Sequence, residues 1–112
     1  MSYAKEYLAQ EPTRAEVDAA DGLQLIEFGA PDCGFCVAIQ PALSRTLEVA
    51  NENGTPLTHR KIEDGSGRPL GRSFTVRLWP TLVLMRGGEE LGRVVRPTGA
   101  PQLMELLAKA EG

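Results

Sequence analysis

The sequence predicts an α/β layering in which a βαβ unit and an antiparallel hairpin share one sheet. Three observations carry this. "LQLIEF" at 23–28 is a nearly continuous apolar run, followed by a long helical pattern and then a second strand pattern, "PLTHRKIE" at 56–63. "TLVLMR" at 81–86 and "ELGRVVR" at 90–96 flank "GGE", with glycine where a hairpin turn needs it. The chain closes on "APQLMELLAKAEG", whose Leu103, Leu106 and Leu107 follow the 3/4 spacing of an amphipathic helix.

From the N-terminus, "YAKEYLA" at 3–9 fits either an edge strand or a first helical turn. Thr13 is an N-cap with Glu16 three positions on, the capping-box pattern, so a helix spans 13–20 and stops at Asp21-Gly22. The run at 23–28 suits a central strand covered on both faces. A helix over 34–50 follows, stopped by Asn53-Gly54, with Pro41 inside it as an expected kink. After the strand at 56–63, "DGSGRPLGRSF" reads as a loop and a short helix.

The 112 residues show no repeat, low-complexity tract or linker, so residues 1–112 read as one domain. A domain of this size buries roughly two-thirds of its unfolded surface, enough for a core without structural disulfides. The net charge of −3 comes without a basic cluster, which argues against nucleic acid. No apolar stretch reaches the ~18 residues of a membrane span. The first residues lack the apolar core of a secretory signal, which favours the cytoplasm. There a cysteine pair is more often catalytic or metal-binding than structural.

Both cysteines lie in "GAPDCGFCVAIQP" at 29–41, separated only by Gly34 and Phe35. Cys33 falls between a strand and the start of a helix, where unpaired N–H groups and the helix dipole favour a thiolate. Cys36, one turn further in, is placed to attack a mixed disulfide formed at Cys33. Two alternatives compete. A structural zinc site needs four ligands, and the only further soft one is His59 on another element, so a metal would require a dimer. Two small buried hydrophobes side by side are the bland reading. The spacing within a βαβ pattern favours dithiol redox chemistry.

These residues resemble the thioredoxin family. "LQLIEFGAPDCGFC" is similar to its active-site strand and turn, and Pro41 sits where the family kinks its active-site helix. "FTVRLWPTLVLMRGGEELGRVV" is similar to the segment carrying its cis-proline, here Pro80, and its hairpin. The resemblance implies a thioredoxin fold, a central mixed sheet flanked by helices, with the dithiol at the end of a central strand. It implies a protein-disulfide reductase in which Cys33 attacks and Cys36 resolves. Pro80 would be cis beside the dithiol, although a trans proline opening a strand is the plain alternative. Trp79 would offer its backbone to an extended client. Thr81, Phe35 and Asp32 would share that contact surface. Glu27 would be the buried carboxylate that handles the Cys36 proton, since burial makes a carboxyl hold its proton more readily. Lys61 would face it, and a simple strand-to-strand ion pair is the alternative for both. No metal or prosthetic group is implied. Electrons would come from an external flavin-dependent thioredoxin reductase and pass to disulfide-containing clients, the protein acting as a monomer without nucleic acid or membrane.

The departures fall on the partner-facing surface. Asp32 replaces the family's tryptophan, either disfavouring the Cys33 thiolate or capping the helix. Phe35 replaces a proline and brings no imidazole, which leans toward a reductant. Trp79 is a large aromatic before Pro80, placed to cover the dithiol or narrow the groove. Arg96 stands where the family tends to have glycine. Two rival functions stay open at this level: a binding or assembly module with an idle dithiol, and a thiol oxidase or isomerase.

Overall fold

The computed structural model describes residues 3–111. Its strands are β1 (Leu23–Gly29), β2 (Leu57–Glu63), β3 (Thr81–Arg86) and β4 (Glu89–Val95), joined in one sheet of order β2-β1-β3-β4. β1 pairs parallel with β2 and antiparallel with β3, which forms an antiparallel hairpin with β4. Helices α1 (Arg14–Ala19), α2 (Gly34–Glu52), α3 (Pro69–Ser73) and α4 (Ala100–Ala108) surround it. This is the thioredoxin fold that the resemblance implies.

All seven residues of β1 are buried, which explains its nearly continuous apolar run and leaves Gln24 and Glu27 as buried polar exceptions. Its alternate residues feed two cores. Leu23 and Leu25 join Leu82 and Leu84 of β3 against Ile39, Leu43 and Leu47 of α2 and Leu103 and Leu106 of α4. Ile26 and Phe28 join Ile62, Val83 and Met85 against Val17 of α1, Leu70 of α3 and the adjoining Phe74. Glu27 continues the 23, 25 series, so strand periodicity alone sends its carboxylate toward α2.

The local signals act where the sequence places them. Thr13 and Glu16 form the reciprocal capping box of α1. The hairpin turns on Gly87 and Gly88 at φ 55° and 83°, the paired positive values of a type I′ turn. Helix α2 passes through Pro41 and ends at Glu52, two residues beyond the expected limit. Helix α4 gives way to a 3-10 turn at Lys109–Glu111, shortening the helix expected over 100–112, and Gly112 lies outside the described residues. Residues 3–9 adopt neither alternative. They run beside the edge strand β2, held by the Leu8 N–H to the Lys61 carbonyl at 2.9 Å and the Ala4 N–H to His59 Nδ1 at 2.8 Å.

Candidate active site

Strand β1 ends at Gly29 and α2 begins at Gly34, so the connecting turn delivers Cys33 to the helix N-terminus. Cys33 is itself the N-cap, and its Sγ accepts the Cys36 N–H at 3.2 Å. That corrects the alternative of an Asp32 cap: Asp32 lies exposed in the preceding turn. Both thiols are free, Cys33 partly exposed and Cys36 buried. Burial pushes the Cys36 thiol up to about 12, and its hydrogen bond with Cys33 and the nearby Cys33 and Glu27 charges act in the same direction. The Cys36 sulfur packs against the end of β1, where a Cβ on Gly29 would stand 2.7 Å from it. One sulfur thus meets a helix-terminal N–H and solvent, while the other is shielded and protonated.

Beneath the dithiol, Glu27 is fully buried and its two carboxylate oxygens have different partners. Oε1 lies 2.9 Å from His59 Nε2, and Oε2 accepts Gln40 Nε2 at 2.7 Å. Groups that can only donate fix the direction of every bond here. The Ala4 N–H occupies His59 Nδ1, so the neutral ring carries its proton on Nε2 and gives it to Glu27. The Lys61 ammonium donates to Gln40 Oε1 at 3.2 Å, as does the Tyr3 hydroxyl at 2.8 Å, which turns the Gln40 amide nitrogen toward Glu27. Both carboxylate oxygens are therefore hydrogen-bond acceptors in this network. The same Gln40 nitrogen donates to the Cys36 carbonyl at 2.8 Å, tying the carboxylate to the shielded cysteine.

Lys61 does not meet Glu27 as expected. The two are register partners across β1 and β2, yet the ammonium turns to Gln40, to the Lys5 carbonyl at 3.2 Å and to the face of the Tyr7 ring at 4.7 Å. An ammonium is costly to bury, and these partners lie nearer the surface than the carboxylate does. His59, two residues back on the same face of β2, takes the place opposite Glu27. Reading His59 only as a metal ligand missed this, although the alternation Leu57, His59, Lys61 already set it on that face. Gln40 was missed as well; its i, i+4 spacing from Cys36 was the available signal. A cleft of about 310 Å³ lined by Tyr7, Gln40 and Lys61 reaches Cys36 from outside. Burial, with the nearby Cys36, Glu27 and Cys33 groups acting in the same direction, pushes the Tyr7 phenol upward, so it stays a neutral hydroxyl there.

The loop before β3 forms the other wall. The Trp79–Pro80 bond is cis, and the Trp79 carbonyl lies 4.0 Å from Cys33 Sγ. The Trp79 indole is anchored through its Nε1, which donates to Asp64 Oδ2 at 2.9 Å. Gly71 of α3 makes room for that carboxylate, which a Cβ would strike. Thr81 is buried, its hydroxyl donating to the Leu78 carbonyl at 2.6 Å, so it shapes the turn instead of lying on the contact surface. Phe35 is 60% exposed at the tip of the dithiol turn. Arg96, at φ 50°, spans from this loop to that tip: its N–H donates to the Pro80 carbonyl at 2.8 Å and its Nε to the Trp79 carbonyl at 2.9 Å. Its guanidinium lies 4.5 Å over the Phe35 ring.

Among the described residues no group of three or more His, Cys, Asp and Glu side chains is arranged to hold a metal ion. No described helix is long and apolar enough to cross a membrane. A helix-capping thiol backed by a buried partner, on this fold, defines the class of dithiol–disulfide oxidoreductases. The family model for thioredoxin matches residues 5–109, and the chain belongs to that family. It is similar to thioredoxin 2 of Pseudomonas aeruginosa PAO1 in its reduced form, at 46% identity and a TM-score of 0.81, covering 97% of this chain and 100% of the other. A thioredoxin of Mycobacterium tuberculosis H37Rv is 33% identical over 84 residues, 75% of this chain and 70% of the relative. The bifunctional thioredoxin reductase/thioredoxin of Mycobacterium leprae is 31% identical over 94 residues; these are 84% of this chain but only 20% of that longer protein. The chemistry is thiol–disulfide exchange through a Cys-X-X-Cys pair, with the protein-disulfide reductase activity typical of the family.

Proposed function

We propose that the chain acts as a single thioredoxin-like domain, a monomer in the cytoplasm, passing two electrons from a flavin-dependent thioredoxin reductase to the disulfides of client proteins. The Cys33 thiolate attacks a client sulfur, forming the Cys33–client disulfide and expelling the other client sulfur as a thiolate. Cys36 gives its proton to Glu27, directly or through water in the cleft beside Tyr7, and the new thiolate attacks Cys33 Sγ. The Cys33–Cys36 disulfide forms, and the second client sulfur leaves as a thiolate. Glu27 is suited to the proton because both its oxygens accept hydrogen bonds and retain free lone pairs. Gln40 and His59 are positioning residues for it, and Lys61 acts through Gln40. Trp79 and Pro80 hold the client main chain beside Cys33, with Phe35 and Asp32 at the rim.

The asymmetry between the sulfurs carries this reading: one caps a helix at the surface, the other is buried with its thiol held up to about 12. The name of the Mycobacterium leprae relative couples a thioredoxin to a thioredoxin reductase, which supports the electron donor. Trapping tests the roles. With an oxidised client protein, Cys36→Ser should accumulate a mixed disulfide through Cys33, and Cys33→Ser should form none. Equal trapping by both variants, or by neither, would remove the division of labour.

A further inference from the structure

We propose that the arginines along Trp79 form a docking surface for acidic residues flanking a client's disulfide, and that Arg96 leaves the Trp79 carbonyl to pair with them. This rests on the reading that clients lie along Trp79 and Pro80.

The charge distribution is the first observation. The chain carries a net charge of −3, yet Gly65 to Gly88 holds Arg68, Arg72, Arg77 and Arg86 and no Asp or Glu. Arg68, Arg72 and Arg77 line a groove of about 220 Å³ whose wall includes Trp79. The one acidic side chain in that lining, Asp64, accepts the Trp79 indole and keeps its charge, so three arginines face a single carboxylate. Arg68 meets Glu63 only at 4.0 Å, with both side chains more than a third exposed, a geometry that contributes little. Among the described residues Arg72 and Arg77 have no ion-pair partner, and both are exposed. The groove is therefore cationic in a protein that is otherwise anionic.

The Arg96 strap is the second observation. The Trp79 carbonyl that a client N–H would use is already taken by Arg96 Nε. A client with no charge to offer competes with Arg96 for that oxygen and gains nothing where the guanidinium gives way. A client bringing a carboxylate replaces a neutral acceptor of the guanidinium with a charged one, and charge-assisted bonds are the stronger kind. Arg96 thus opposes neutral and basic clients and favours acidic ones, as a specificity-determining residue. The left-handed backbone at Arg96 would suit glycine, so Arg96→Gly removes the side chain without disturbing the turn.

The test uses three disulfide-bridged peptides, identical except for Glu, Gln or Lys beside the cysteines, mixed with the reduced full chain under single-turnover conditions. The Glu peptide should react about tenfold faster than the Lys peptide at low salt, and the gap should shrink near about 0.5 M salt. Arg72→Glu with Arg77→Glu should reverse the order while leaving reduction of the neutral 2-hydroxyethyl disulfide unchanged. Arg96→Gly should speed the Gln peptide and narrow the Glu preference. Equal rates for all three peptides would overturn this inference and leave the proposed function standing. Failure to reduce even the Gln peptide and the neutral disulfide would overturn both.

Discussion

Glu27 Oε1 and His59 Nε2 lie 2.9 Å apart with both side chains shielded completely from solvent. The Ala4 N–H on the far side of the imidazole keeps His59 a donor to this carboxylate. Glu27→Ala would leave two donors facing a void, His59 Nε2–H and the Gln40 amide, costing about 3 kcal/mol in stability. The same variant should prolong the Cys33 mixed disulfide about a hundredfold, the usual worth of a positioned proton acceptor. Alkylation of Cys33 should keep its rate. A mixed disulfide of unchanged lifetime would show that Glu27 is structural only.

The buried Cys36 thiol makes the stability of the reduced protein depend on alkaline pH. In the unfolded chain a thiol ionises near its ordinary 9, whereas the folded protein holds Cys36 protonated to about 12. Between these values the unfolded state binds fewer protons, so the contribution is fully present below about pH 9 and is lost as pH rises toward 12. Denaturation under reducing conditions should show a steeper alkaline loss in the wild type than in Cys36→Ala. Parallel curves would contradict the raised thiol.

Gly29 is a spacing device. Gly29→Ala would set a methyl group 2.7 Å from the Cys36 sulfur and 3.2 Å from the Tyr7 hydroxyl. The sulfur must move, and a displaced nucleophile is a slow one, by about tenfold to a hundredfold. Rapid-quench measurement of intramolecular resolution should find that slowing, with the initial attack by Cys33 preserved.

Thr75 carries avoidable strain. It follows the C-cap of α3 at φ 58°, a left-handed position usually filled by glycine, and its side chain is exposed. A β-branched residue there costs about 1 kcal/mol or more. Thr75→Gly should raise the thermal midpoint, and an unchanged or lower midpoint would refute the strain.

Most of the fold was legible because local rules and global layers agree here. The apolar run of β1 announced a strand covered on both faces, and the Thr13–Glu16 box and the two hairpin glycines announced their own elements. The dithiol was legible from its spacing. The support beneath it was not. A register pairing of Glu27 with Lys61 says which Cα atoms are neighbours, not where a long flexible ammonium sends its charge. That choice followed from Tyr7, Lys5 and Ala4, in a segment with no periodic pattern and no ladder of its own, held to β2 by isolated hydrogen bonds. Of the two readings open for Asp32, the cap rested on residue type alone, and chain geometry gave that position to Cys33.

The most direct test of the account is the reduction potential of the Cys33–Cys36 pair, read by equilibrating the protein in graded thiol/disulfide buffers and trapping free thiols. A client reductant requires a value near about −270 mV, the thioredoxin range. A value at or above about −180 mV, the range of isomerases and oxidants, would reverse the direction of electron flow and contradict the account.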